Sequence, residues 1–203
     1  LIAISKDKLN KEASVIEINS ETDFVARNEN FQNFVFNLSK INLNQKGNLD
    51  KLIKAKYNNK ENVSDTLTNL ISTIGENLII RRCKYISIDN GFIGTYVHNV
   101  EKNDMGKIGI LLSVKTDIDF LNINDFLKKM CMHIAAANPI AISSSNIDDN
   151  ILKKEKQFHL EEIKKAGKDQ VIQEKMLIGK MNKYCTPCHA SLQPLTITQA
   201  KKK

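Results

Sequence analysis

The sequence predicts an α+β fold: two related strand–helix subdomains followed by a protruding antiparallel helical hairpin. Three observations predict it. Apolar, β-rich runs at residues 13–18 and 106–114 each lead into a segment with apolar residues at helical spacing. The two junctions echo each other, with Thr22-Asp23-Phe24 after the first run and Thr116-Asp117-Ile118 after the second, as a duplicated unit would. Residues 147–184 then turn Lys/Glu-rich, with apolar residues at helical intervals but no wide apolar stripe.

In chain order, Ala-Ser-Val-Ile-Glu-Ile at 13–18 reads as a strand, broken by Asn19, Ser20 and Glu21. Phe31, Phe34, Val35 and Leu38 follow the i, i+3, i+4, i+7 spacing of an amphipathic helix. Leu49, Leu52 and Ile53 suggest a short helix within a polar stretch. Leu67, Leu70, Ile71 and Ile74 form a further helical face that stops at Gly75. Leu78 to Ile80 and Cys83 to Ile88 read as strand. In the second subdomain, Gly91 to Tyr96 is extended and Gly106 to Val114 is a buried strand. Phe126, Leu127, Met130, Ile134 and Ala137 mark a helix ended by Asn138-Pro139, with His133 packed on its apolar side. Asp148 or Asp149 would cap the first hairpin helix and Gly167 would end it. The divisions are 1–89 and 90–147 for the two core subdomains, 148–185 for the hairpin, and 186–203 for a tail returning toward the core without fixed order.

Charge is the feature most open to misreading. The formal net charge is +7, which invites a nucleic-acid partner. Yet only three of the 30 basic residues are Arg (Arg27, Arg81 and Arg82), aromatic content is 6%, and there is no Trp. Phosphate clamps favour Arg, and single-strand binding needs stacking platforms. Abundant Lys, Asn and Ile is the bias of an AT-rich genome and would account for the charge without a polyanionic partner. No apolar run approaches the roughly 18 residues of a membrane span. The chain begins at Leu1 rather than Met and reads as a fragment, so any targeting segment lies outside it.

No phosphate loop, nucleophile elbow, zinc-protease helix or dinucleotide fingerprint is present, so the sequence points to no enzyme, cofactor or metal site. Cys185-Thr186-Pro187-Cys188-His189 fits the C-x-x-C-H haem-attachment pattern. That chemistry belongs outside the cytoplasm, and a structural zinc site needs a fourth ligand. A loop is the simpler reading, with a Cys185–Cys188 disulfide left open by the sequence.

The informative stretch is Ile18 to Phe34, Ile-Asn-Ser-Glu-Thr-Asp-Phe-Val-Ala-Arg-Asn-Glu-Asn-Phe-Gln-Asn-Phe. It resembles the signature of the translation elongation factor Ts family, whose hallmark is Thr-Asp-Phe-Val-Ala-Arg/Lys at a strand-to-helix junction. Further similarities follow in order: Ile74-Gly75-Glu76-Asn77 with Arg81-Arg82, then Tyr96-Val97-His98, the 106–114 strand, and Met132-His133-Ile134-Ala135-Ala136 before Pro139. Glu174-Lys175-Met176, Gly179-Lys180-Met181 and Gln193-Pro194 resemble the family's hairpin and its exit. The resemblance covers the core and hairpin. It implies a small three-helix, ubiquitin-associated-like domain before this region and a C-terminal module after it, and a chain lacking both is expected to bind its partner less tightly.

The resemblance implies small antiparallel sheets and a guanine-nucleotide exchange factor acting on elongation factor Tu, in its GDP-bound or nucleotide-free form. Thr22, Asp23, Phe24 and Val25 would dislodge Mg²⁺ and loosen the nucleotide, with secondary partner contacts from Ile74, Gly75 and His98. It further implies a bacterial cytoplasmic setting, or a mitochondrial or plastid one, and a hairpin able to support a homodimer. Taken alone, Asp23-Phe24 reads as a helix cap before a core residue, Gly75 as a helix end, His98 as a surface residue, and Arg81-Arg82 as a solvated edge or an ion-pair site. The alternative function is a basic RNA- or ribosome-associated module, whose affinity would fall steeply with salt.

Overall fold

The computed structural model describes residues 1–165, 169–185 and 196–201. It is α+β, as the sequence predicts. The described residues of Leu1–Ala136 and Gln193–Lys203 form one compact unit, and those of Ala137–Leu192 a second.

The first unit is organised by an antiparallel sheet. Strand β1 (Ile2–Lys6) turns back into β2 (Glu12–Asn19). The turn is built on Asp7, whose carboxylate accepts from the amides of Leu9, Lys11 and Glu12 at 2.7–3.0 Å. Burial pushes this carboxyl up, but those amide donors outweigh it and hold it below the usual range. From Ala13 to Ile18 every residue of β2 is buried. Ile16 and Ile18 face one apolar cluster while Ala13 and Val15 face another, so β2 is buried on both faces.

Helix α1 (Glu29–Asn44) covers the Ile16 side. Its first turn is capped by the Asn28 side chain, which accepts from the Phe31 amide at 3.2 Å. Phe31, Phe34, Val35 and Leu38 fill the cluster beneath it. Helices α2 (Leu49–Lys54) and α3 (Val63–Ile74) complete this layer, capped by Asn48 and Asn62. Strand β3 (Ile79–Ser87) pairs with β2. Strands β4 (Phe92–Lys102) and β5 (Met105–Val114) form the next hairpin. Strands expected in two subdomains share one sheet, because β1 pairs with β2 on one edge and, at Ile2–Gly106 and Ala3–Met105, with β5 on the other. The order is β3-β2-β1-β5-β4. Strand β6 (Thr196–Lys201), in the segment read as a tail, pairs with residues 108–113 of β5.

Helix α4 (Phe120–Ala137) lies close against β4, and begins earlier than its apolar spacing implied. Gly94 makes the approach possible: a β-carbon there would meet the Leu127 Cβ at 2.9 Å and the Cys131 Sγ at 3.2 Å. His133, expected to pack, is exposed, while Cys131 and Ile134 take the buried positions. The Thr116-Asp117-Ile118 echo stands between β5 and α4, as Thr22-Asp23-Phe24 stands between β2 and α1. Both end in an exposed apolar side chain.

The second unit contains helices α5 (Asp149–Lys165) and α6 (Gln170–Cys185). A connection this short folds the second helix back along the first. Lys180 on α6 pairs with Glu162 on α5 at 2.5 Å, and Ile163 is buried. The expected end of α5 at Gly167, the 186–189 part of the C-x-x-C-H segment, the Cys185 side chain and the Gln193-Pro194 exit lie outside the described residues.

Candidate partner-docking site

Strand β2 stops at Asn19, opposite Ile79 at the start of β3. Below this end lies a charge cluster. Glu17 is fully buried, and its carboxylate meets Arg81 at 2.9 Å and Arg82 at 2.5 Å. Consecutive strand residues normally point to opposite faces. Here a bulge opens between Glu17 and Ile18: Glu17 pairs with Arg82, Ile18 with Ile80, and Arg81 is the extra residue. Both guanidinium groups therefore reach one carboxylate. Of the two sequence readings of Arg81-Arg82, the ion pair is the one the structure contains.

Beyond β2 the chain makes a tight excursion. The Ser20 hydroxyl donates to the Thr22 carbonyl at 2.9 Å. Asp23 and Phe24 stand in solvent, Phe24 with 83% of its surface exposed. A single helical turn at Val25–Arg27 then returns the chain to the core, with Val25 and Ala26 buried. The Ala26 carbonyl accepts from the side-chain Nε2 of the buried Gln32 at 2.8 Å. Asn28, not Asp23, caps α1, and Phe24 is not a core residue. The cap-and-core reading of Asp23-Phe24 is therefore set aside. Leaving a phenyl ring in water forgoes about 1.5–3 kcal/mol of burial.

The end of α3 meets this excursion. Ile74 is partly buried against the core beneath α1. Gly75 closes the helix in the left-handed region, at φ 79°, its amide donating to the Ile71 carbonyl at 2.8 Å. A β-carbon at Gly75 would meet nothing within 4 Å, so the backbone angle rather than space calls for glycine. Glu76 then turns back: its carboxylate accepts from the Thr22 amide at 2.9 Å and from the Thr22 hydroxyl at 2.5 Å. The sequence-predicted residues Thr22, Asp23, Phe24 and Val25 are thus joined to Ile74 and Gly75 through a residue quoted only as part of a motif. Its adjacency to Gly75 was the available signal.

His98 is not drawn into this cluster. It is exposed on β4, its Nδ1 3.1 Å from the Tyr96 hydroxyl. Two strands, β1 and β5, separate β2 from β4, roughly 14 Å of sheet at the usual strand spacing.

Among the described residues no group of three His, Cys, Asp or Glu side chains could hold a metal ion. An open groove of about 280 Å³ between α1 and α3 is lined by Asn30, Asn33, Phe34, Tyr57, Asn69 and Leu70, among others. It contains no paired acid and base. The exposed phenyl ring on a braced turn is suited to insertion into another protein.

The sequence matches the family described as Elongation factor TS over residues 21–201. It is 39% identical over 173 residues to the elongation factor Ts of Sinorhizobium medicae, covering 85% of this chain and 56% of that protein. It is 37% identical over 173 residues to that of Agrobacterium fabrum, with the same coverage. With that of Bartonella bacilliformis it shares 38% over 185 residues, covering 91% of this chain and 60% of that protein. The chain therefore spans somewhat under two thirds of the length of these relatives. The matched region contains the Thr22–Val25 turn, the α3 end, the β4–β5 hairpin and the α5–α6 pair, and the chain belongs to the elongation factor Ts family.

Proposed function

We propose that this chain binds elongation factor Tu and promotes release of its GDP during translation elongation in a bacterial cytoplasm. The reading is carried by Phe24, 83% exposed on a braced turn within the family-matched region.

A G-protein holds nucleotide phosphates through backbone amides and Mg²⁺. A factor that speeds release must bind better when that cradle is disturbed, and nucleotide must weaken the factor by the same ratio. Phe24 is suited to the disturbance. It is bulky, has two side-chain torsions to freeze, and on insertion recovers the burial it lacks in the free chain. That recovery, about 1.5–3 kcal/mol, bounds the coupling one ring can supply at roughly ten- to a hundredfold. Asp23 beside it offers acceptors that fix the angle of entry, and Val25 anchors the turn. Ile74 and Gly75 present the neighbouring surface, and His98 a separate contact farther along the sheet. The chain then changes the rate at which a bound ligand leaves and makes or breaks no covalent bond.

The test follows release of a fluorescent GDP analogue from elongation factor Tu with the chain, with its Phe24→Ala variant, and with neither. Phe24→Ala is expected to lower the acceleration at least tenfold while leaving the melting temperature unchanged, because the ring is exposed. An equally active Phe24→Ala variant would remove the wedge. A wild-type chain that neither binds the factor nor speeds release would remove the exchange function.

A further inference from the structure

We infer that Glu76 is a positioning residue for nucleotide exchange, holding the Phe24 turn in its inserting geometry from the end of α3. The inference rests on the exchange reading above and adds to it a residue that acts through Phe24.

The Phe24 turn is attached on both sides. On its C-terminal side it is fixed by burial of Val25 and Ala26 and by the Gln32 side chain, whose Nε2 donates to the Ala26 carbonyl. On its N-terminal side Glu76 accepts from both the amide and the hydroxyl of Thr22, 54 residues away in sequence. Two donors on one residue, both taken by one carboxylate, fix orientation as well as distance, and hydrogen bonds to an ionised acceptor are about twice as strong as neutral ones. The arrangement also depends on α3. Gly75 in the left-handed region turns the chain so that the next side chain points back toward Thr22. Cutting the Glu76 link would remove both side-chain ties from Thr22 to the end of α3. Phe24 would then explore orientations that must be frozen again on insertion.

A residue acting through Phe24 must lose its effect when Phe24 is gone. Glu76→Ala and Glu76→Gln would be compared with wild type in the GDP-release assay, alone and combined with Phe24→Ala, using the full chain. Glutamine retains one acceptor oxygen but turns an amide NH₂ toward the second Thr22 donor, and serves if the alanine variant folds poorly. The expected result is a roughly tenfold fall in release rate for Glu76→Ala, a smaller fall for Glu76→Gln, and no further loss in the Phe24→Ala background. Thr22→Val, which removes the hydroxyl donor but keeps the amide, should lose part of the rate. Hydrogen exchange at the Thr22 amide should speed up in Glu76→Ala with the melting temperature held. Full activity of Glu76→Ala, or losses that multiply with that of Phe24→Ala, would overturn the positioning role while leaving the wedge in place. If Phe24→Ala alone released GDP at the wild-type rate, the wedge would fall and the positioning role with it.

Discussion

Replacing Glu17 should cost far less stability than replacing the two arginines that pair with it. Glu17 has no side-chain exposure, whereas Arg81 and Arg82 keep 38% and 44% of theirs. When the acid is removed, as in Glu17→Gln, both guanidinium groups can turn to water, and the loss is limited to two charge-assisted hydrogen bonds, discounted for solvent: about 1–2 kcal/mol. When both cations are removed, as in Arg81→Met with Arg82→Met, a carboxylate stays behind in the sheet with no counter-charge, and the cost rises to about 3–5 kcal/mol. Adding Glu17→Met to that pair removes the stranded charge and should recover most of the loss. Urea unfolding followed by far-ultraviolet circular dichroism measures all three, with unchanged slopes showing that the midpoints report stability. The reasoning is refuted if Glu17→Gln is as destabilising as the double arginine replacement, or if the triple variant is no more stable than the double.

Two further predictions concern the contact of α4 with β4. Gly94→Ala places a methyl 2.9 Å from the Leu127 Cβ and 3.2 Å from the Cys131 Sγ, and should cost about 1–3 kcal/mol, read as a lowered urea midpoint; an unchanged midpoint would mean that α4 can back away freely. Cys131 is fully buried, and burial pushes its thiol up to about 12 from an ordinary value of 9.0. At pH 8 its thiolate should react with a thiol reagent roughly a thousandfold more slowly than an exposed cysteine. The folded state then binds the proton more tightly than the unfolded one. This contribution is complete below pH 9 and fades as pH rises from 9 toward 12, by about 1.4 kcal/mol per unit at most. Urea midpoints at pH 8 and pH 10 should diverge for the wild type more than for Cys131→Ala.

What the sequence makes legible here is whatever local period and capping encode. The α1 face at Phe31, Phe34, Val35 and Leu38 and the end of α3 at Gly75 could be placed residue by residue, because each depends on neighbours within a turn or two. Strand β1 could not. Its five residues form no long alternation, and only the cross-strand partners Ile16 and Met105 make Ala3 a core residue. The union of the two strand–helix halves in one sheet depends on that strand. Strand β6 is hidden for the same reason. Arg81-Arg82 is a subtler case: two charged residues in succession fit either a solvated edge or an ion pair, and the bulge that decides between them is a property of the β2–β3 register. Phe24 was legible as a residue of interest only through its surroundings, since an acidic residue before an apolar one looks like the start of many helices. The neighbours Val25 and Ala26 take the buried positions, and that displacement leaves the ring outside.

Exposure alone would make a poor wedge. An apolar side chain on a loose loop loses entropy when it inserts, about 0.5–1.5 kcal/mol for each side chain immobilised and more for each backbone residue ordered. Against a gain of only about 1.5–3 kcal/mol from burying one phenyl ring, a turn of four or five mobile residues would consume the advantage. The turn at residues 20–27 avoids this by being ordered beforehand. Ser20 closes on the Thr22 carbonyl, Glu76 takes both Thr22 donors, Val25 and Ala26 sit in the core, and Gln32 holds the Ala26 carbonyl. Thr22, Val25 and Ala26 therefore have places that owe nothing to a partner. On the proposed exchange reading, a side chain that displaces the supports of a bound nucleotide works only if its own supports do not yield first, and a turn braced from both sides is what that reading requires.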